Sequence, residues 1–451
     1  MKRVLFNNIC YKYKENQYIM NLISYRRKKI SEIEYQLLHK IDRKIASDTK
    51  LNTSEDVFYK KLINEKQILS DNQIAIFDKE LFSACNKLGD KIKSITINYS
   101  YACNFQCAYC YQKRYSDTKG VMSIHKIDQI YEFLRIYFEN CNSEFRLENI
   151  IISGGEPLLE AQIETINYTI QKFKNKVKNI ILFTNGVNIY KFRNRINFNA
   201  FSEVQISLDG DNNVIKEINN SKVQIDITEI LNGIKYLAKK DIKIRVVTMM
   251  VDAHSPDNLS KLITILDSFE LFNFKNISFR STYIINHKSD SLTDKDYYNL
   301  EDYINLRKAT KAIVKGTKYT VDSFYSLSNL ASVILRKNGQ IPHQISKCGV
   351  PDHVSLNFGP SGKTYYCMCV DPSLGIIGEF YPKIRIYEKK LLEFQNRNIF
   401  NIYDCKKCEF RHVCLSGCPL ELIGSNIPIN SPNCGAYKNA FCMDKLEDFI
   451  F

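Results

Sequence analysis

Cys103-Asn-Phe-Gln-Cys107-Ala-Tyr-Cys110 sets three thiols at spacings of three and two residues, with an aromatic residue just ahead of the last. Three such thiols can hold three irons of a [4Fe–4S] cube, which leaves the fourth iron for a ligand that is not protein. A zinc knuckle borrowing a distant fourth ligand satisfies the same triplet. Its surroundings bear on the choice. Ser94-Ile-Thr-Ile-Asn-Tyr99, just upstream, alternates as a strand, so the thiols fall on the loop at that strand's C-terminal end.

Downstream, Ser123 opens an amphipathic helix carrying Ile127, Ile130, Phe133, Leu134, Tyr137 and Phe138. Asn149–Ile152 then runs into Ser153-Gly154-Gly155-Glu156-Pro157, and further strands are expected at Asn179–Phe183, Glu203–Leu208, Ile242–Met249 and Asn276–Ser281. Strands separated by helices predict an α/β fold with a parallel sheet, here a partial (β/α)6 barrel that binds ligands at its strand C-termini. Gly154 and Gly155 permit close backbone approach and positive φ. Thr184-Asn185-Gly186 ends the third strand and Ser207-Leu208-Asp209-Gly210 the fourth. Ser207 and Asp209 either bond a ligand's hydroxyls or cap the next helix. Arg245 and Arg280, on later strands, are read as solvent-facing.

A second cysteine constellation fills the C-terminal third. Cys348-x13-Gly362-x4-Cys367 is followed by Cys405-x2-Cys408-x5-Cys414-x3-Cys418 and then Cys434, with Gly362–Cys367 expected as a hairpin turn. One or two structural zinc sites would use the same pairs. Cys369, two residues beyond Cys367, would share its face in a strand. Cys10, Cys85, Cys141 and Cys442 match no motif and are read as buried thiols, and His412 as an exposed loop residue.

The first 92 residues carry 18 Lys/Arg and 12 Asp/Glu and none of the triplet. Val4–Phe6 and Tyr18–Ile23 are expected as paired strands, and Ser31-x-x-Glu34 and Thr53-x-x-Asp56 as helix starts. Ile68–Phe77, two apolar runs about a turn, suits a β-wing. Strands, two helices and a wing describe a winged-helix-like module, which serves either as a packing domain or as a grip for a peptide that adds a strand to its sheet.

The 451 residues include 44% hydrophobic and 25% charged types, ordinary for a globular protein of two or three domains. No signal-peptide core and no membrane-length apolar stretch is present, so a cytoplasmic protein is expected. There, fifteen cysteines read as metal ligands and free thiols. The net charge of +14 is dispersed and accompanied by no RNA-binding signature, so no nucleic-acid partner is expected.

From Lys93 to Cys434, the order and spacing of these motifs resembles radical S-adenosylmethionine (SAM) enzymes that carry a C-terminal SPASM domain. The resemblance divides the chain into residues 1–92, a barrel over 93–320 and a cysteine-rich extension over 321–451. It implies a SAM-binding [4Fe–4S] cluster on Cys103, Cys107 and Cys110. It places SAM against Gly154, Gly155, Glu156, Pro157, Thr184, Asn185, Ser207 and Asp209. Two auxiliary clusters are implied, one on Cys348, Cys367 and Cys418, the other on Cys405, Cys408, Cys414 and Cys434. Cys369 or an open site would complete the first. The implied activity is reductive SAM cleavage to a 5′-deoxyadenosyl radical, which takes hydrogen from a ribosomal precursor peptide and leads to a thioether or another side-chain crosslink. Flavodoxin or ferredoxin would supply the electron. Formylglycine formation, as in anaerobic sulfatase-maturating enzymes, and a non-catalytic iron–sulfur or zinc peptide-binding scaffold are the alternatives.

Overall fold

The computed structural model describes residues 8–13, 16–24, 26–88, 92–114, 120–217, 225–283, 300–321, 354–367, 375–408, 410–417, 422 and 431–432. The strand expected at Val4–Phe6 lies outside these residues, as do Cys348, Cys369, Cys418, Cys434 and Cys442 and the side chain of Cys85.

An antiparallel meander opens the chain: β1 (Asn8–Tyr13), β2 (Asn16–Asn21) and β3 (Arg27–Ile30). Helices α1 (Glu32–Ala46), α2 (Thr53–Asn64) and α3 (Asp71–Leu88) follow. Ser31 and Glu34 form the expected capping box on α1. On α2 the box is Asn52 with Glu55 rather than Thr53 with Asp56, because a glutamate at N3 reaches back to the cap N–H.

The stretch expected as a wing belongs mostly to α3. Gln73 Oε1 accepts from Ser70 N at 2.9 Å and Ser70 Oγ accepts from Gln73 N at 3.3 Å, a reciprocal cap. Ile74, Phe77 and Leu81 then recur at helical spacing, which the reading as two apolar runs overlooked. Strand alternation puts neighbouring residues of β2 on opposite faces. Ile19 accordingly packs with Ile30, Leu38, Ile41 and Leu62, while Met20 joins the main core.

The six expected barrel strands are present, each within two residues of its expected bounds. They are β4 (Ile92–Asn98), β5 (Leu147–Ser153), β6 (Val177–Thr184), β7 (Glu203–Ser207), β8 (Lys243–Met250) and β9 (Ile277–Tyr283). All are parallel and adjacent in chain order. Between them lie α4 (Ile124–Asn140), α5 (Ile163–Phe173), α6 (Asn212–Glu217), α7 (Ile227–Ala238) and α8 (Ser255–Ser268). One sheet face, with Ile95, Ile97, Ile150, Ile152, Val204, Ile206, Ile244 and Val246, is buried in one core with Leu134 of α4, Ile166 of α5, Ile234 of α7 and Leu262 of α8. On the other face Ile151, Ile181, Phe183, Gln205 and Arg245 are only half-buried.

Helix α9 (Leu300–Val314) leads to β10 (Tyr319–Val321), a seventh parallel strand beside β9 that is too short to show as a periodic run. At the opposite edge, β11 (Val354–Phe358) pairs parallel with β4. Strands β12 (Lys363–Tyr365), β13 (Ile376–Glu379) and β14 (Arg385–Ile386) continue the sheet antiparallel. The expected hairpin turn is present, with Gly362 at φ 90°. Three short helices end the described chain: α10 (Glu388–Gln395), α11 (Tyr403–Lys406) and α12 (Arg411–Cys414).

Candidate active site

The cysteine loop leaves the end of β4 hydrogen-bonded to the glycines that leave β5. Tyr99 N donates to Ser153 O (2.9 Å), Gly155 N to Ser100 O (2.8 Å) and Glu156 N to Ala102 O (2.9 Å). Side chains do not fit between these segments. A Cβ on Gly154 would stand 2.4 Å from Ser100 O, and one on Gly155 would stand 2.2 Å from Ala102 O. Gly154 also has φ 142°, which favours glycine. The glycines are therefore needed to bring two strand ends together, whatever they contact besides.

Within the loop, Phe105 is buried and its N–H donates to Cys103 Sγ at 3.3 Å. Cys110 N donates to Cys107 O at 3.1 Å. Cys103 is exposed as a residue, while Cys107 and Cys110 are half-buried. Partial desolvation pushes the Cys103 thiol up to about 12, and Glu156, Cys107 and Cys110 add to the rise. Three neighbouring thiols beside a carboxyl cannot all ionise without a cation, and a bound metal centre removes that barrier. Among the described residues no group of three His, Cys, Asp or Glu side chains converges on a single metal ion. A cube needs no such convergence, since each thiol takes its own iron. The donor set on this loop fits a cluster held from one side.

Glu156 is 1% exposed, and its carboxyl oxygens accept from Leu158 N (2.8 Å), Thr184 Oγ1 (2.7 Å) and Asn185 N (2.8 Å). Burial pushes it up to about 7 against those three bonds. It thereby ties the end of β5 to the end of β6, with Pro157 buried beside it. Asn185 turns toward the cysteine loop, donating to Asn104 Oδ1 at 2.6 Å and lying 3.9 Å from Cys103 Sγ. Gln112, which the sequence reading missed, donates to Gly154 O at 2.9 Å.

Ser207 is exposed at the end of β7. Asp209 is buried, accepts from Met249 N at 2.9 Å and from the Tyr109 hydroxyl, and so joins the cysteine loop to β8. Burial, and then the Asp209 charge, push the Tyr109 phenol well above its ordinary value, so it stays the donor. Neither Ser207 nor Asp209 caps α6. Asp211 does, accepting from Asn213 N and Val214 N. Arg280 is exposed as expected, but Arg245 is half-buried and ion-paired to Glu203 at 3.0 Å.

Strand β12 runs antiparallel to β11, and so back from the C-terminal ends of the barrel strands, and Cys367 follows it. Tyr365 is buried there, its hydroxyl 2.5 Å from that of Tyr101 and 2.8 Å from Asn98 Nδ2. Cys405 and Cys414 are buried and Cys408 half-buried, with Phe410 N donating to Cys408 Sγ at 3.4 Å. That backbone contact repeats the one at Cys103.

Helix α3 packs onto this segment. Phe77 and Leu81 join Ile399, Ile402 and Cys405 in a small core. Asp78 pairs with Arg411 at 2.7 Å and with His412 at 3.2 Å. His412 is thus buried rather than an exposed loop residue. Of the unassigned thiols, Cys10 is half-buried, whereas Cys141 is exposed because it caps the C-terminus of α4.

Residues 97–266 match the Radical SAM superfamily. A probable GTP 3′,8-cyclase from Methanococcus aeolicus is 29% identical over 165 residues, which cover 35% of this chain and 51% of that protein. The chain spans about half the length of the curated relatives it matches. Among solved structures, native anSMEcpe with bound AdoMet and Cp18Cys peptide superposes with a TM-score of 0.53 at 16% identity, over 80% of this chain and 98% of that one. Streptococcus suis SuiB bound to precursor peptide SuiA superposes with a TM-score of 0.50 at 14% identity, over 96% and 99%. The parallel sheet, with a three-cysteine loop at one strand end zipped to glycines at the next, and the family match over the same stretch identify residues 97–266 as a radical SAM domain.

Proposed function

We propose that this chain is a radical SAM peptide maturase of the SPASM type, which installs a thioether or another side-chain crosslink in a ribosomal precursor peptide. Cys103, Cys107 and Cys110 would hold the SAM cluster. The auxiliary pair would rest on Cys348, Cys367 and Cys418 and on Cys405, Cys408, Cys414 and Cys434, giving three [4Fe–4S] clusters. When bound, cluster and SAM supply a 5′-deoxyadenosyl radical from one electron, delivered by a reduced flavodoxin or ferredoxin. The chain's own residues position and shield. The Gly154–Gly155 zipper sets the loop beside the β5 end, Glu156 fixes the β6 end, and Asp209 holds Tyr109 against the β8 end.

The observation that carries the reading is the coupling of the N-terminal module to the cysteine-rich segment. In the three-stranded sheet β3 is an edge strand, to which an extended peptide can add. Its third helix packs directly on Cys405 and pairs with Arg411 and His412. A peptide gripped there would be tied to the chemistry. SuiB, whose fold match reaches 96% of this chain, was solved with a precursor peptide, which supports the same direction.

The test is anaerobic reconstitution, reduction and addition of SAM, with any short open reading frame found beside this gene supplying the candidate peptide. The expected result is 5′-deoxyadenosine together with a peptide that has lost two hydrogens by mass spectrometry. An untouched peptide, alongside conversion of a sulfatase active-site peptide to formylglycine, would overturn the crosslinking assignment. No 5′-deoxyadenosine under any of these conditions would leave only the peptide-binding scaffold.

A further inference from the structure

Among the described residues Arg397, just after α10, is one of the largest fully buried side chains. Its Nη1 donates to Ser416 Oγ (2.7 Å) and Gly417 O (3.1 Å), and its Nη2 to Ser416 O (2.8 Å) and Ser431 O (3.2 Å). The turn that receives three of these bonds is unusual. Leu415, Ser416 and Gly417 have φ of 56°, 66° and 72°, three left-handed residues in succession, of which only the glycine adopts that conformation freely. Strain of this kind persists only where neighbours over-determine it. The planar guanidinium fork does so here by holding two successive carbonyls and a hydroxyl from one direction.

The turn lies between Cys414 and Cys418, and Ser431 lies three residues before Cys434. One guanidinium therefore fastens both backbone segments that lead to these cysteines. We propose that Arg397 is a positioning residue for the auxiliary iron–sulfur ligands, fixing how the chain leaves Cys414 and how it approaches Cys418 and Cys434. The inference rests on the auxiliary-cluster reading above. A lysine cannot span four acceptors, and a methionine fills the volume while donating to none.

The experiment uses the full chain with Cys103, Cys107 and Cys110 replaced by alanine, so that remaining iron and the reduced EPR spectrum report only the auxiliary ligands. Arg397→Met should lose at least half of that iron and change the spectrum, while Arg397→Lys should retain more iron with an altered spectrum. In the chain with its triplet intact, Arg397→Met should keep the SAM-cluster signal, which shows that the barrel is folded. Adding Ser416→Gly to Arg397→Met relieves one strained residue and should restore part of the iron, a response that a volume-filling role would not give. Arg397→Met with parental iron and an unchanged spectrum overturns the proposal. A triple-alanine parent that binds no iron overturns the auxiliary-cluster reading itself, and this role with it.

Discussion

The two cysteine-bearing regions are held by different means. At the barrel mouth the main chain places the cysteines: Tyr99, Gly155 and Glu156 N–H groups stitch one strand end to the next, and the approach is too close for a Cβ. In the C-terminal region, α11 and α12 are four residues each, and side chains fix them: Asp78 from α3 and Arg397 after α10 from outside, and Arg411 from within the segment. The first design should be sensitive to added volume and to charge buried within it, and the second to loss of an ion pair.

The strongest test of that contrast is Gly155→Ala. Its new methyl would stand 2.2 Å from a backbone carbonyl, which no rotamer change relieves. A cost of about 4 kcal/mol is expected, above the usual range for overpacking because the clash is with a backbone atom. Urea unfolding should show that loss, and SAM cleavage should disappear with it. Retention of both would mean that the loop can move away from β5, and the contrast would fail.

Next in size is a pH effect at Glu156. Its folded-state value is raised to about 7, against an ordinary 4.5. Between those values the folded chain keeps a proton that the unfolded chain has released. Stability should therefore fall as pH rises from about 4.5 to 7, by on the order of 3 kcal/mol, and level off above. Urea midpoints measured from pH 5 to 8 should follow this slope, and Glu156→Gln should flatten it. An equally steep slope in the variant would assign the titration to another group.

Sequence period and spacing were enough for the barrel because its signals are local. Ile95 and Ile97 alternate within β4, and the glycine pair falls at a strand end whatever lies elsewhere. Asp78 carried no signal, since its partners lie 333 and 334 positions away and nothing local distinguishes it from a solvated charge on a helix. His412 was misplaced for the same reason. The wing was misread through a local error: Ser70 and Gln73 form a capping box, with glutamine in place of the commoner glutamate. Arg397 lay between motifs, and only its four acceptors reveal a role.

Asp78→Asn tests the other half of the contrast. Burial works to raise this carboxyl, and the bonds from His412 and Arg411 overcome it and hold it below its ordinary value. That contribution is present above the unfolded value near 4 and is lost as pH falls through the folded one. Arg411 is almost fully buried, whereas the Asp78 side chain is 22% exposed, so screening limits the cost of the substitution to about 2 kcal/mol. If Cys405, Cys408 and Cys414 hold the proposed auxiliary cluster, the loss should appear as weaker iron retention there, with the signal of the Cys103–Cys110 loop unchanged. Equal damage at both sites would show that charge supports the barrel mouth as well.

The smallest effect is expected where the two regions meet. Tyr101 stands two residues before Cys103 and Tyr365 two before Cys367, and their hydroxyls are 2.5 Å apart. Tyr365→Phe removes that contact and leaves the buried Asn98 amide without its 2.8 Å acceptor. Tyr101 is half-buried and can turn to water, so the net loss should be about 1 kcal/mol. If the pair links the cysteine loop to the hairpin, Tyr101→Phe and Tyr365→Phe should be non-additive in a double-mutant cycle, with a coupling of about 1 kcal/mol. Strict additivity would mean that the two regions merely touch here, each held in place by its own device.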